Sequence, residues 1–245
     1  MPQRSQEKIM PSRREKAIAE LGEPTTLGSH WIIFYTAIFC VGGMVLPSLY
    51  LQDVRPFEWL AIPFTFFIAN LIEYGVHRWP MHRNLPGAEF MLRLHMIHHN
   101  YFDEHEYRLR KYPDYVALVF PAIVLNLPTL FVVFPIAYLV FLTVGKNAAL
   151  LFIATVMGYY LLMQLIHVAA HTDESHWVNS IPGIQYLWQH HYIHHHHSEM
   201  AHANYNFIVP LSDWIFGTNR QELQKREDAL SRETAPPLRP GNESR

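Results

Sequence analysis

The sequence predicts an all-α integral membrane protein in which four transmembrane helices carry a cytoplasmic helical cap holding a histidine-rich di-metal site. Three observations point there. Residues 27–52, 115–145 and 147–172 contain no Asp, Glu, Lys or Arg, and 59–72 are uncharged between Glu58 and Glu73. Charged residues are 16% of the 245, against roughly a quarter in soluble domains. Histidine occurs 17 times and gathers where the apolar runs end.

A hydrocarbon core of about 30 Å needs about 20 helical residues, which sets the elements in order. Residues 1–26 form a cytoplasmic N-terminal segment, with a charged surface helix expected through Arg13–Glu20. The first span is Gly28–Tyr50; the residues before it are too long and polar for a cleavable signal peptide, so it is expected to stay in the mature protein. The second is Phe57–Val76 and the fourth Ala148–Ala170. The third, Tyr115–Leu142, is long and carries Pro121, Pro128 and Pro135, which either kink one tilted helix or divide it into a re-entrant pair. One kinked span is the expectation. The membrane domain covers 27–218, and 219–245, with Pro236, Pro237, Pro240 and Gly241, reads as a polar, disordered tail.

Lys and Arg number 17 in residues 1–28, 78–114 and 219–245, and only 2 in the connectors 51–56 and 143–147. Positive charge collects on the cytoplasmic side, so both termini and the long middle loop are expected there, in a bacterial inner membrane or the endoplasmic reticulum. A net charge of −2 gives no basic surface for nucleic acid. The single Cys40 excludes disulfide frameworks, iron–sulfur clusters, thiolate zinc sites and c-type haem attachment, each of which needs several thiols.

On this topology the histidine groups share one side. His77 and His82 flank Pro80 at the end of the second span. His95, His98 and His99 form an i, i+3, i+4 face, and His167 and His171 an i, i+4 pair at the exit of the fourth span. Within His190–His197, His191, His194 and His195 fall within about 60° of one another on a helix of about 3.6 residues per turn. His190, His196 and His197 point away and are expected beside or behind the site. His30, His105 and His176 read as ordinary interfacial residues, and His202 stands between the two readings. Imidazole suits iron, copper, zinc and nickel, and four ligands saturate one zinc ion; ten histidines therefore argue for two metals. Glu73, four residues before His77, either fixes the tautomer of His77 or is a charge at a span end; Asp173 beside His171 has the same two readings. Trp79, Met81, Trp177, Trp188 and Trp214 read as an interfacial belt.

The ordered spacing His77-x4-His82, His95-x2-His98-His99, His167-x3-His171 and His191-x2-His194-His195 resembles the fatty acid hydroxylase and sterol desaturase superfamily. Asn204-Tyr205 and Asp213-Trp214-Ile215-Phe216-Gly217-Thr218 are similar to its closing signature, with Asn206 where many members have glycine and Asp213-Trp214 in inverted order. The stretch Tyr107-Arg108-Leu109 is similar to the branch of lipid and ceramide 2-hydroxylases. The resemblance implies two iron ions held by the ten histidines; zinc can take the site after overexpression, because it generally binds such ligands more tightly than ferrous iron. It implies dioxygen as co-substrate and hydroxylation of a lipid C–H bond, on a fatty acyl, sphingolipid or sterol substrate entering from the bilayer. Desaturation within the same superfamily is the alternative, and a histidine-rich metal transporter a distant one, since transport favours ligands near the bilayer midplane. No dinucleotide fingerprint or fused haem domain is present, so a separate electron donor, a reductase, ferredoxin or cytochrome, is implied.

Overall fold

The computed structural model describes residues 12–222, 224 and 225. Among them every regular element is helical. The expected disorder of the tail falls largely outside the described residues, but its first part departs from expectation. Asn219 is buried and donates to Tyr186, and the Arg220 amide donates to Asn204 Oδ1, so chain order continues past 218.

Ser12 opens α1 (Arg13–Leu21) with reciprocal capping: its hydroxyl accepts from the Glu15 amide, and Glu15 accepts from the Ser12 amide. The helix is more than a charged surface element. Ala17 packs with Ile97, Tyr101, Phe102 and Leu118, while Arg14 pairs with Asp114 at 3.2 Å. These contacts brace α4 (Glu89–Tyr101) from behind.

Four helical stretches are long and apolar enough to cross a membrane: Thr26–Leu49, Pro56–Arg78, Tyr112–Thr143 and Lys146–Ala170. The first is α2 (Thr26–Leu49), which directs Trp31, Phe34, Ile38, Val41 and Val45 outwards, as a lipid-facing helix requires. Its other face meets α8 (Lys146–Ala170) closely because both sides supply glycine. A Cβ on Gly43 would come within 2.5 Å of Met157 Cγ, and Gly158 lies against Met44. Helix α8 is central, packed also against α3 (Ala61–Arg78) and the cap helix α9 (Ile184–His195).

The third span is one kinked crossing made of α5 (Tyr115–Leu118), α6 (Ala122–Pro128), a π turn at Thr129–Val133 and α7 (Phe134–Thr143). Its contacts with the neighbouring chain advance in one direction: Ser29 to Pro113, Tyr35 to Asn126, then Arg55 to Val144. A re-entrant pair would have turned back. Each proline marks a change of backbone because it cannot donate to the helical ladder: Pro121 begins α6, Pro128 precedes the π turn and Pro135 lies in the first turn of α7.

Candidate metal centre

All four histidine groups meet at one end of the bundle. His77 lies in the last turn of α3; the chain then turns through Trp79–Arg83 and returns His82 to the same point. His95, His98 and His99 come from one face of α4, His167 from the last turn of α8, and His171 caps that helix. Helix α9 contributes His191, His194 and His195. All but the partly exposed His82 are buried.

The rings meet edge-on through their Nε2 atoms in two knots. In the first, His95 Nε2 lies 3.0 Å from Nε2 of His77, His82 and His99, and His82 lies 3.1 Å from His194. In the second, His98 is 3.1 Å from His195, His171 is 3.1 Å from His191, and His191 is 3.1 Å from His195. Within each knot the donor nitrogens all lie within 4.8 Å of one another, and each could hold a metal ion. His167 adjoins the second, its Nε2 at 3.3 Å from His98, but falls outside that tight set.

Five rings have their protons assigned by the backbone. Nδ1 of His77, His98, His171, His194 and His195 faces the carbonyl oxygen of Tyr205, Ala117, Tyr107, Ala203 and Phe102 respectively, at 2.5–3.0 Å. A carbonyl only accepts, so Nδ1 carries the proton and Nε2 of the neutral ring is a bare lone pair. In the His98–His195 contact both partners are of this kind. Burial, the largest cause, lowers His98 and His194 to about 4 and holds His95, His99, His171, His191 and His195 well below the usual histidine value. Neutral rings with lone pairs face to face repel one another; a shared cation turns that repulsion into coordination. The donor set therefore fits a metal that accepts imidazole nitrogen.

The partner of His98 is a carbonyl left free where α5 ends, at Leu118 with Val119 extended, shortly before a proline. In a continuous helix the carbonyl of Ala117 would accept from residue 121. Pro121 has no N–H, and the freed carbonyl takes the His98 proton at 3.0 Å instead.

Behind α9, the loop 203–207 supplies two more of the carbonyls and is held by buried polar side chains. Asp213, at the start of α10 (Leu211–Phe216), accepts from the amides of Tyr205 and Asn206, from the Thr218 hydroxyl and from His190. Burial pushes its carboxyl up, but the bonds from His190, Thr218 and Asn206 outweigh that and keep it below the usual carboxylate range. Asn204, in a left-handed conformation (φ 60°), donates to the His190 carbonyl. Phe207 stacks on His77 with centroids 4.9 Å apart and also meets His167 and His191.

Within His190–His197 the helical register places His191, His194 and His195 in the knots, His190 behind them against Asp213, and His196 and His197 outside. His202 is exposed and joins neither knot. Of the two readings open for Glu73 and Asp173, that of a histidine partner is not met. Glu73 does not bond His77; it accepts from Tyr159 at 2.7 Å, Asn206 at 2.9 Å and the Phe207 amide at 3.3 Å, because the loop and not α3 itself reaches its carboxylate. Asp173 pairs with Arg108 at 2.5 Å and bonds Ser175, so its charge serves the loop surface and not His171. Sequence reasoning missed the support given by Phe207, Asn206 and Asp213. The closing signature marked part of this stretch, but nothing in it indicated that its carbonyls set histidine tautomers.

The family model described as fatty acid hydroxylase matches residues 62–218, more than half of the chain, including the nine knot histidines and the adjoining His167. The chain belongs to the fatty acid hydroxylase family. Membership implies an oxidoreductase of the lipid hydroxylase type with a histidine-rich metal site, and the four apolar helices place this family member among integral membrane proteins. Comparison of this fatty acid hydroxylase family chain with curated proteins and with solved structures gave no match.

Proposed function

We propose that the protein is a membrane di-iron monooxygenase that hydroxylates a C–H bond of a lipid drawn from the bilayer, with the histidine end of the bundle and both termini facing the cytoplasm. The observation that carries this reading is the pair of Nε2 knots, in which lone pairs fixed by backbone carbonyls converge on two points. The ligands are His77, His82, His95, His99 and His194 for one ion, and His98, His171, His191 and His195 with the adjoining His167 for the other. Iron, when bound, supplies the activation of dioxygen that an unactivated C–H bond requires and that no side chain provides.

The chain's own residues do the rest. The five carbonyls keep each proton on Nδ1, so metal binding need not displace one from Nε2. Phe207 and the buried helical faces exclude water from the knots. Overall, one oxygen atom enters the C–H bond and the other leaves as water, using a pair of electrons and protons. The electrons come from a separate reductase, ferredoxin or cytochrome. The cytoplasmic orientation rests on the Lys and Arg distribution.

The test pairs elemental analysis of active protein with mass spectrometry of lipids from cells with and without it. Two ions per chain and a lipid gaining one oxygen are expected. A lipid losing two hydrogens would make the protein a desaturase, and an unchanged lipid profile with transported metal would make it a transporter.

A further inference from the structure

Helix α8 presents one inward stripe in which Tyr160, Gln164, His167 and His171 fall within about 60° of one another on a helix of about 3.6 residues per turn. The line that ends in two histidines thus continues into the bundle as a polar pair. Gln164 is 4% exposed, and its Nε2 donates to the Tyr160 hydroxyl at 2.9 Å. That bond leaves both partners half-used. Gln164 Oε1 has no hydrogen-bond partner among the described residues, and the Tyr160 hydroxyl makes no other hydrogen bond there. Hydrocarbon offers nothing to satisfy an orphaned acceptor, and native structures retain few such groups without a reason.

We propose that Gln164 and Tyr160 form a subsite for a neutral hydroxyl group on the lipid substrate. A hydroxyl matches both vacant functions, since it donates to Gln164 Oε1 and accepts from Tyr160. A carboxylate or phosphate does not suit the position. An ionised carboxylate or phosphate accepts from Tyr160 but brings no hydrogen for Gln164 Oε1, so it meets only one of the two functions. At about 1.5 Å of rise per residue, Gln164 lies about 5 Å and Tyr160 about 10 Å along α8 from His167. The subsite therefore sets the oxidised carbon about one helical turn from the hydroxyl. The assignment rests on the proposed lipid oxygenation for its meaning, but not for its test.

The experiment measures binding of tetradecanol and of tetradecane to the full-length protein in nanodiscs, by thermal shift, with metal content followed in parallel. The alcohol is expected to bind about tenfold more tightly, the scale of one net hydrogen bond. Gln164→Met should remove this preference, and Tyr160→Phe should reduce it, both without loss of metal. Equal binding of the two probes to the unaltered protein, or a preference that survives the substitutions, overturns the subsite. If Gln164→Met fails to fold, Tyr160→Phe decides alone. Absence of lipid oxygenation, with the alcohol preference intact, would count against the proposed reaction and leave the subsite standing.

Discussion

Where α2 hands over to α3, the bundle is closed by few polar contacts: Glu58 accepts from Arg55 and Asn147, and Asn147 exchanges hydrogen bonds with the backbone of Gln52. At the opposite end the bundle and its cap hold ten buried histidines, the carboxylates of Glu73 and Asp213, and buried Asn70, Asn204 and Asn206. One end only has to join two helices. The other accepts the cost of burying polar groups and offsets part of it with specific acceptors, among them backbone carbonyls for Nδ1 of five histidines, while Nδ1 of His95, His99 and His167 has no partner among the described residues. Polar density of this kind at a membrane boundary marks function, and its absence at the connector end shows that the fold does not need it.

The strongest way to break the contrast is within α9. His194→Ala or His195→Ala should abolish turnover and lower metal content, whereas His196→Ala, outside both knots, should keep both metal and activity; elemental analysis beside a turnover assay reads all three. If His196→Ala empties the site while His195→Ala leaves it filled, the assignment of ligands on α9 fails. A second comparison labels the two ends with an impermeant thiol reagent in a Cys40→Ser background. Cysteine at Lys146 should react from outside the cell and cysteine at His105 should not; the reverse pattern would turn the histidine end outwards.

A smaller effect is expected at Asp213, which holds the loop without entering either knot. Asp213→Asn places an amide donor among groups that already donate, and should lower unfolding stability by about 3 kcal/mol while weakening metal retention. Unchanged metal content in a destabilised variant would show that the loop braces the fold alone. At the connector end, Glu58→Gln should lower the thermal midpoint by a few degrees and leave metal content untouched, and a loss of metal there would erase the distinction between the ends.

The spans were legible because a charge-free run long enough to cross hydrocarbon has few other uses, and the prolines of the third span announced its kinks. The π turn at Thr129–Val133 was not legible, since it reflects how the helical ladder re-registers between prolines. At the site, helical rotation alone separated His191, His194 and His195 from His190 and His196. It could not find the partners of Nδ1. Every residue has a carbonyl, so the identity of Ala117, Phe102 or Ala203 gives no sign that its oxygen orients a histidine. The partners of Glu73 were hidden for a related reason: proximity along α3 offered His77 as one of two readings, while the folded chain brought Asn206 and Phe207 to its carboxylate.

Pro121 extends this point to a group defined by what it lacks. Any other amino acid there would add an amide hydrogen four residues on from the Ala117 oxygen that His98 uses, and a continuous helix would direct it there. In a mutational scan, tolerance at this position should follow neither size, polarity nor hydrophobicity, because the selected trait is a missing proton on the main chain. The metal site's inventory then includes a residue whose contribution is a bond it does not make.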